Sequence, residues 1–338
     1  MKTTNPETTN PETINPETTN PETVNPETVN PKTANDKIRR TMMFLNAQRA
    51  ALLKDAYIYK PDCVIFDLED AVAEREKDSA RIQLYNTLKY HNYYGVERWV
   101  RINGLDSPYY QEDIRCAVAG HCDGIRIPKT ESAEDVNRVA ELIAAAEKEF
   151  GRQTKTMLMA ALESPLAVLN ALEICLSGGD RMIGVALSGG DYTSSLQARR
   201  TANGAELFGA RAHIVMAARA AGVQCFDTVH TDLKDMEGFR AETELIRDMG
   251  FDGKSVVSPK QIAVIHAVFT PTKAEADHAI HLIEAIRENE KNGVGVLVVD
   301  GQMVDVAHIN GAKRILRMAK ASGMLVPDLE LQTCGGGV

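Results

Sequence analysis

Short apolar runs alternate with longer amphipathic stretches along the chain from Asp36 onward. The stretch Ala133–Phe150 repeats its apolar residues at helical spacing. The pattern therefore predicts eight β-strands that alternate with α-helices. The eight runs are Met42–Leu45, Cys63–Asp67, Trp99–Ile102, Gly124–Ile127, Thr156–Leu162, Met182–Leu187, Val223–Val229 and Lys254–Val257.

This alternation favours an α/β fold, namely a (β/α)8 TIM barrel over residues 36–270. The eight units occupy about 235 residues, which matches the usual size of such a barrel. A doubly wound open sheet is the alternative, but no Gly-x-Gly-x-x-Gly sequence follows the first strand. We therefore predict the barrel.

The pattern changes after Thr270 and predicts a small C-terminal cap over residues 271–324. Lys273–Lys291 has a helical pattern, and Ala307–Ala321 has another. Between them, Val294–Val299 and Gln302–Val306 are apolar runs joined by Asp-Gly, a strong hairpin signal. We expect a helix–hairpin–helix element followed by a flexible tail at 325–338.

The first 35 residues are repetitive. Residues 5–34 are six copies of a pentapeptide, NPETT, NPETI, NPETT, NPETV, NPETV and NPKTA. Proline at every fifth position prevents a helix, and almost no apolar residue is available for burial. We predict a disordered tail at residues 1–35 that lies outside the fold.

Composition and charge exclude some function classes. The net charge is -9, from 47 acidic and 38 basic residues, which argues against a nucleic-acid surface. It does not exclude an anionic substrate, because a single arginine can bind a carboxylate. No apolar run approaches the length of a membrane span, and the N-terminal residues do not have the charged-then-apolar pattern expected of a signal peptide.

The six cysteines show no metal-binding or disulfide pattern. There is no Cys-x-x-Cys pair, and Cys63 and Cys225 lie within apolar runs. Such cysteines are typical of a reducing compartment, so we expect a soluble, cytoplasmic protein.

Polar residues cluster where the predicted strands end, which in a barrel is the catalytic end. Glu163 and Asp191 follow adjacent strands, and two carboxylates with free positions for water or substrate suit Mg²⁺. Alternatively, strand-end acids cap the helices that follow them. The strand-end residues are Asp67-Leu68-Glu69-Asp70, Arg101-Ile102-Asn103, Pro128-Lys129, Glu163-Ser164, Asp191-Tyr192, and Asp227 with His230.

An ordered series of motifs runs along about residues 38–320. The motifs begin with FDLEDAV at 66–72, VRIN at 100–103, IPKT at 127–130 and ALESP at 161–165, and continue with FDTV at 226–229, GFDGKS at 250–255, FTP at 269–271 and MVD at 303–305. This series resembles the citrate lyase β subunit family, and its order makes it far more specific than any single motif. Malyl-CoA and β-methylmalyl-CoA lyases belong to the same wider superfamily.

The resemblance implies roles for individual residues. Glu163 and Asp191 match the family's Mg²⁺ ligands. Arg101 matches the arginine that grips a carboxylate of the oxaloacetate moiety. Asp305 matches an aspartate on the cap, which in related lyases completes the site of an adjacent subunit and which we assign as the acid.

Four further residues complete the expected site. Glu69 and Asp70 match the acidic motif after the second strand, and we expect them to hold metal-bound waters or an arginine. Arg40 and Lys129 are expected to contact substrate.

The implied activity is an Mg²⁺-dependent carbon–carbon lyase reaction. A citryl thioester, carried by an acyl carrier protein or CoA, would be cleaved to oxaloacetate and an acetyl thioester. The implied partners are an acyl-transferase α subunit, an acyl carrier γ subunit and other copies of the chain in a homo-oligomer. Two alternatives stay open: a malyl-CoA or β-methylmalyl-CoA lyase, and a catalytically impaired assembly subunit.

Two loops depart from the family pattern. Asn46-Ala47 stands where the family usually has Pro-Gly, so this loop is expected to follow a different path. Ser188-Gly189-Gly190-Asp191 lacks the glutamate that usually precedes the aspartate. We expect altered surroundings of the proposed metal ligand.

Overall fold

A computed structural model describes residues 37–291, 297–299, 302–304 and 306–327. Eight parallel strands form a closed barrel in chain order, with β8 hydrogen-bonded to β1. The fold class predicted from the sequence is therefore confirmed. The strands are β1 Thr41–Asn46, β2 Cys63–Asp67, β3 Glu97–Arg101, β4 Gly124–Ile127, β5 Met157–Leu162, β6 Met182–Leu187, β7 Gln224–Asp227 and β8 Gly253–Val256.

Every predicted strand is present, and the differences are confined to the strand ends. β3 begins at Glu97 instead of Trp99, because Glu97 is paired with Arg39 at the base of the barrel and stays in the ladder despite its charge. β7 is shorter than the apolar run that predicted it. The apolar runs thus located the strands, but the hydrogen bonds between strands determine the residues at which each strand begins and ends.

The described residues contain twelve α-helices, which surround the barrel or belong to the C-terminal segment. Ala133–Glu149 begins with a capping box formed by Ser132 and Asp135, as its sequence favours. None of these helices is long and apolar enough to cross a membrane. They are α1 Ala50–Leu53, α2 Lys77–Tyr90, α3 Tyr110–Ala119, α4 Ala133–Glu149, α5 Pro165–Leu169, α6 Ala171–Leu176, α7 Gly189–Ser195, α8 Phe208–Ala221, α9 Met236–Met249, α10 Pro259–Phe269, α11 Lys273–Lys291 and α12 Val306–Ala321.

The interior of the barrel is a packed apolar core and not a channel. Met42, Ile65, Met159 and Phe226 belong to the cluster that surrounds Trp99, and each of these side chains is buried. This core fills the barrel below the carboxyl ends of the strands, so the polar side chains at those ends lie above an apolar layer.

Trp99 fits inside the barrel because the neighbouring strand carries glycine at position 124. A Cβ at this position would lie 2.3 Å from a ring carbon of Trp99. Gly124→Ala should therefore destabilise the protein by about 1–3 kcal/mol, because the closed barrel gives the ring no room to shift. Urea unfolding followed by the fluorescence of Trp99, the only tryptophan, measures this change.

The matched control for this substitution is Gly209→Ala in α8. A Cβ there meets nothing within 4 Å, so this variant should be neutral or stabilised by up to about 1 kcal/mol. Equal stability of the two variants would contradict the packing argument.

The C-terminal segment forms an element with a core of its own. α11 and α12 pack together around Ile283 and Leu316, and the short strands β9 Leu297–Val299 and β10 Gln302–Val304 pair antiparallel. The predicted helix–hairpin–helix order is present, while the expected turn at Asp300-Gly301 lies outside the described residues.

This cap contacts the barrel at the N-terminal ends of the strands. Arg314 of α12 donates to the Phe251 carbonyl at 2.8 Å, just before β8. Arg40, just before β1, donates to the Ser322 hydroxyl at 3.1 Å. The cap is therefore attached at the end of the barrel opposite the strand-end carboxylates.

Candidate functional site

Three charged residues lie side by side on neighbouring strands near the carboxyl end of the barrel. The ladder aligns Asp67 of β2 with Arg101 of β3, and Arg101 with Arg126 of β4. Both guanidinium groups lie over the ring of Phe44 in β1, at 5.1 and 5.2 Å. The parallel register therefore places two arginines above the apolar core.

Arg101 is held by two carboxylates from the end of β2. Its Nε and Nη2 donate to the two oxygens of Asp67 at 2.7 and 2.6 Å, and its Nη1 lies 2.9 Å from Glu69 Oε2. Burial opposes the charge of Arg101, but the hydrogen bonds and the charge of Asp67 raise its pKa. One N–H on Nη1 and one on Nη2 remain for a substrate.

Glu69 also connects Arg101 to Lys129 across the opening at the carboxyl ends of the strands, which we call the mouth of the barrel. Lys129 Nζ lies 3.0 Å from Glu69 Oε1 and 3.9 Å from Asp70, which is exposed on the rim. The backbone of Lys129 has a φ of 47°, a left-handed conformation that costs a lysine about 1–2 kcal/mol. This strained turn directs the ammonium group toward the site.

A buried lysine fixes the loop that carries these acids. Lys77 Nζ donates to the Leu68 and Glu69 carbonyls, each at 2.7 Å, and to Asn103 Oδ1 at 2.6 Å. Lys77 thereby connects the loop after β2 to the loop after β3, and its hydrogen bond to the Glu69 carbonyl fixes the backbone that carries the Glu69 side chain.

Glu69 is close to its titration point at neutral pH. Burial raises its pKa to about 7, and the charges of Glu163 and Asp70 act in the same direction, against Arg101 and Lys129. Neither carboxylate oxygen has a well-aligned hydrogen bond despite the two ion pairs. The negative charge of ionised Glu69 is therefore only partly offset by the neighbouring cations.

The raised pKa predicts a specific pH dependence of stability. Because the folded-state pKa of Glu69 (about 7) exceeds the ordinary value of 4.5, this group favours folding at low pH. Its contribution is complete below 4.5 and is lost as the pH rises through 7. Glu69→Gln should therefore gain stability relative to wild type between about pH 5 and about pH 8.5.

Urea unfolding midpoints in the presence of a chelator measure this effect. The control is Glu141→Gln, at an exposed position on α4, whose stability should follow that of wild type at every pH. A constant difference between Glu69→Gln and wild type across the range would contradict the assignment.

Glu163 and Asp191 form the second half of the site. Glu163 is 4% exposed at the end of β5, and its Oε1 accepts a hydrogen bond from Ser188 at 3.0 Å. Burial raises the pKa of Glu163, as does the nearby charge of Asp191, while Arg126 and Arg101 oppose the shift. Asp191 lies in the first turn of α7, which follows β6, and is exposed.

The donor set fits a hard divalent cation. Glu163 Oε2 is buried and has no hydrogen-bond partner among the described residues, so it has an unused lone pair where Asp191 adds a second negative charge. Mg²⁺ is commonly held by one or two carboxylates plus water and substrate oxygens. Within the described ranges, no group of three or more His, Cys, Asp or Glu residues is arranged to hold a metal by itself. Glu163 and Asp191 would therefore leave most coordination positions open.

Arg40, which we expected to contact substrate, is at the other end of the barrel. It precedes β1 and pairs with Asp62, which precedes β2, through two hydrogen bonds of 2.9 Å. Residues that precede parallel strands lie opposite those that follow them, so this part of the prediction is wrong. Asp305, the expected acid, lies outside the described residues.

Asp227 and His230 also do not join the mouth. Asp227 is fully buried between Arg211 at 2.9 Å and Lys254 at 2.5 Å. His230 Nδ1 lies 2.6 Å from Glu242, which pairs with the same two cations. These charges form a network between β7, β8 and helices α8 and α9, with Asp227, Arg211 and Lys254 buried and Glu242 and His230 partly exposed, and they attach helices to the barrel.

Sequence reasoning missed three residues of the site. Asp67 was read as part of a motif without a role, and Ser188 and Arg126 were not singled out. A signal for Arg126 was present, because Gly-Ile-Arg-Ile places a charge in a short, otherwise apolar strand. Since strand residues alternate between faces, Arg126 had to enter the barrel if its isoleucine neighbours faced the helices.

The two unusual loops have local explanations. Asn46 closes its own turn by accepting from the Gln48 amide at 2.8 Å, and it donates to the Ala71 carbonyl at 2.6 Å. A Cβ at Gly190 would lie 3.0 Å from Arg200 Nη2. The asparagine thus links the loops after β1 and β2, and glycine leaves room for an arginine beside Asp191.

Comparisons with known proteins agree with this architecture. Residues 40–259 match the model of the family described as HpcH/HpaI aldolase/citrate lyase. Citrate lyase subunit beta of Leuconostoc mesenteroides subsp. cremoris is 47% identical over 290 residues, which cover 86% of this chain and 96% of that protein. A (3S)-malyl-CoA thioesterase of Cereibacter sphaeroides is 37% identical over 282 residues, covering 83% and 95%.

Solved structures show the same fold. The CitE protein of Mycobacterium tuberculosis, in complex with magnesium, acetoacetate and coenzyme A, aligns with a TM-score of 0.68 and 28% identity, covering 84% of this chain and 99% of that one. A citrate lyase beta subunit from the same organism, complexed with oxaloacetate and magnesium, aligns with a TM-score of 0.57 and 28% identity, covering 70% and 99%.

Proposed function

The chain belongs to the HpcH/HpaI aldolase/citrate lyase family, and we propose that it is a citrate lyase β subunit. Its reaction is the Mg²⁺-dependent cleavage of a citryl thioester into oxaloacetate and an acetyl thioester. The observation that carries the proposal is the unpartnered, buried Oε2 of Glu163 beside Asp191 and two arginines. Similarity to citrate lyase β subunits over most of the chain supports the choice of substrate.

The proposed site combines a metal position with carboxylate recognition. Glu163 and Asp191 would hold Mg²⁺, which supplies a Lewis acid that lowers the pKa of the substrate hydroxyl and stabilises negative charge as the bond breaks. Arg101 binds a substrate carboxylate with the donors that Asp67 and Glu69 leave free. Lys129 contacts substrate from the rim.

Glu69 is a positioning residue in this scheme. It contacts Arg101 and Lys129, so it sets the direction of both cations. Asp70 lies on the outer side of Lys129 and contributes negative charge at the rim.

The reaction moves one proton overall. The tertiary hydroxyl of the citryl group loses its proton as the ketone of oxaloacetate forms. The electrons of the broken carbon–carbon bond pass to the thioester, which leaves as an enolate. We propose that Asp305 protonates the enolate carbon, which produces the acetyl thioester.

The position of the cap supports an acid supplied by a second copy of the chain. The cap is attached at the N-terminal end of its own barrel through Arg314 and Ser322, while the proposed site is at the other end. We therefore propose a homo-oligomer in which the cap of one copy serves the mouth of another.

The proposed assembly includes the other citrate lyase subunits. An α subunit would transfer the acyl group, and a γ subunit would carry the thioester on its prosthetic arm. We propose a cytoplasmic location, because the five cysteines in the described part of the chain are free thiols, as expected in a reducing compartment.

Cleavage assays with two substrates test the proposal. Chelator-treated protein is titrated with Mg²⁺ in the presence of citryl-CoA or malyl-CoA, and oxaloacetate or glyoxylate is measured. We expect oxaloacetate formation that depends on Mg²⁺. Glyoxylate alone would favour the malyl-CoA alternative, and no product from either substrate would favour an assembly subunit without catalysis.

A further inference from the structure

Arg126 is a buried cation inside the barrel. It is 2% exposed, and no carboxylate among the described residues forms an ion pair with it. Its contacts are to hydroxyl groups, with Nη1 donating to Ser255 at 3.2 Å and Nη2 to Ser188 at 3.4 Å. Its Nε has no partner within the described part of the chain.

Arg101, on the neighbouring strand, differs from Arg126 in how its charge is compensated. Arg101, in the same layer, has two carboxylates and a raised pKa. The pKa of Arg126 is lowered to about 10, because burial and the charge of Arg101 outweigh the more distant attraction of Glu163, Glu69 and Asp67. A buried charge that lacks a partner is costly, so a fold retains one where a ligand can supply the counter-ion.

Its surroundings also place Arg126 at the floor of the proposed site. It lies over Phe44, which is only partly buried. It shares Ser188 with Glu163, since the Ser188 hydroxyl donates to Glu163 and accepts from Arg126. A ligand held by Glu163 and Asp191 would therefore have Arg126 directly beneath it.

We propose that Arg126, with the Ser188 and Ser255 hydroxyls, binds the terminal carboxylate of the citryl group and so selects citryl over malyl thioesters. The inference rests on the proposed function and names the feature that distinguishes its substrate. A citryl thioester carries a carboxymethyl group that a malyl thioester lacks. Arg101, whose donors are largely occupied, takes the carboxylate next to the reacting carbon.

Oxaloacetate and pyruvate form a matched pair of ligands for a test. Both are 2-oxo acids, and pyruvate lacks only the terminal carboxylate. With Mg²⁺ present, wild-type protein should bind oxaloacetate more tightly than pyruvate when titrated calorimetrically. Arg126→Gln and Arg126→Met should weaken oxaloacetate binding by roughly 10- to 100-fold, as for loss of a charge-assisted hydrogen bond, and leave pyruvate binding unchanged.

Steady-state kinetics should show the same selectivity. For Arg126→Gln, the KM for citryl-CoA should rise by the same factor, with a smaller change in kcat, because the contact is made in both the ground state and the transition state. Any residual cleavage of malyl-CoA should be unaffected. Arg126→Lys should recover part of the affinity for oxaloacetate, because it restores the charge without the bidentate geometry.

The outcomes separate this inference from the proposed function. If wild-type protein binds neither 2-oxo acid with Mg²⁺, the proposed function fails. If wild type prefers oxaloacetate and Arg126→Gln keeps that preference, only the role of Arg126 fails. Equal weakening of both ligands would indicate a merely structural role and would also overturn the inference.

Thermal unfolding without ligand shows whether the Arg126 variants are folded. An unpaired buried charge opposes folding, so Arg126→Met should unfold at the same or a higher temperature than wild type. A marked loss of stability in both Arg126→Met and Arg126→Gln would show that the cation already has its partner in the fold, which contradicts the proposal.

Discussion

Replacing Glu163 by glutamine is expected to abolish measurable Mg²⁺ binding and to reduce oxaloacetate formation by roughly 10³-fold or more. The amide keeps the shape of the side chain and its contact with Ser188 but removes the negative charge. Loss of the Lewis acid should cost about 4 kcal/mol of transition-state stabilisation, which corresponds to that factor. Calorimetric titration with Mg²⁺ and a citryl-CoA assay measure the two effects separately.

Glu141→Gln, on the outer face of α4, is the matched control and should behave as wild type in both assays. We also expect the Mg²⁺ affinity of wild-type protein to fall at low pH. Burial and the charge of Asp191 raise the pKa of Glu163, and only the ionised carboxylate binds a metal. Undiminished turnover in Glu163→Gln would refute the metal site.

Asp305→Asn is expected to lower turnover by about 10²- to 10⁴-fold, the range for loss of a general acid. Asparagine has nearly the same size but cannot donate a carboxylic proton to the enolate carbon. Mg²⁺ binding should be unchanged, because the proposed ligands are on the barrel and not on the cap. Turnover at the wild-type level would refute the assignment of the acid.

Mixing the two inactive variants tests whether the acid comes from a second copy. If the cap of one copy serves the barrel of another, an exchanged equal mixture of Glu163→Gln and Asp305→Asn contains some intact sites. Random exchange should restore roughly a quarter of wild-type activity. If each chain completes its own site, the mixture stays as inactive as its components.

The fold could be predicted because its signal is local and repeated. Each buried strand is a short apolar run, and each helix between strands has a periodic apolar face. Eight such units leave few topologies, because parallel strands with right-handed helical connections close readily into a barrel. The pattern did not predict details such as the start of β3 at Glu97.

The candidate site was predicted only in part. Arg101 ends a strand, and Glu69, Lys129 and Glu163 follow strands in the sequence, so the barrel brings all four to one end. Arg40 was misplaced because it precedes β1 and therefore lies at the opposite end of the barrel.

The charge within Gly-Ile-Arg-Ile marked Arg126 as unusual, but nothing in its sequence neighbourhood tells whether a partner carboxylate is nearby. Two arginines one strand apart, with identical backbone register, have opposite pKa shifts. The difference arises from Asp67 at the end of β2 and Glu69 just after it, which form ion pairs with Arg101 and act on Arg126 only from a greater distance.

The sequence by itself determined the alternation of strands and helices, the residues that follow each strand and the family to which the motifs point. These properties depend on local periodicity and on the identity of single residues. The tertiary structure alone decided which charges are neighbours, because barrel closure joins residues far apart in the chain. It paired Arg101 with two carboxylates and, within the described part of the chain, paired Arg126 with none, since charge compensation depends on distances of a few ångströms between strands.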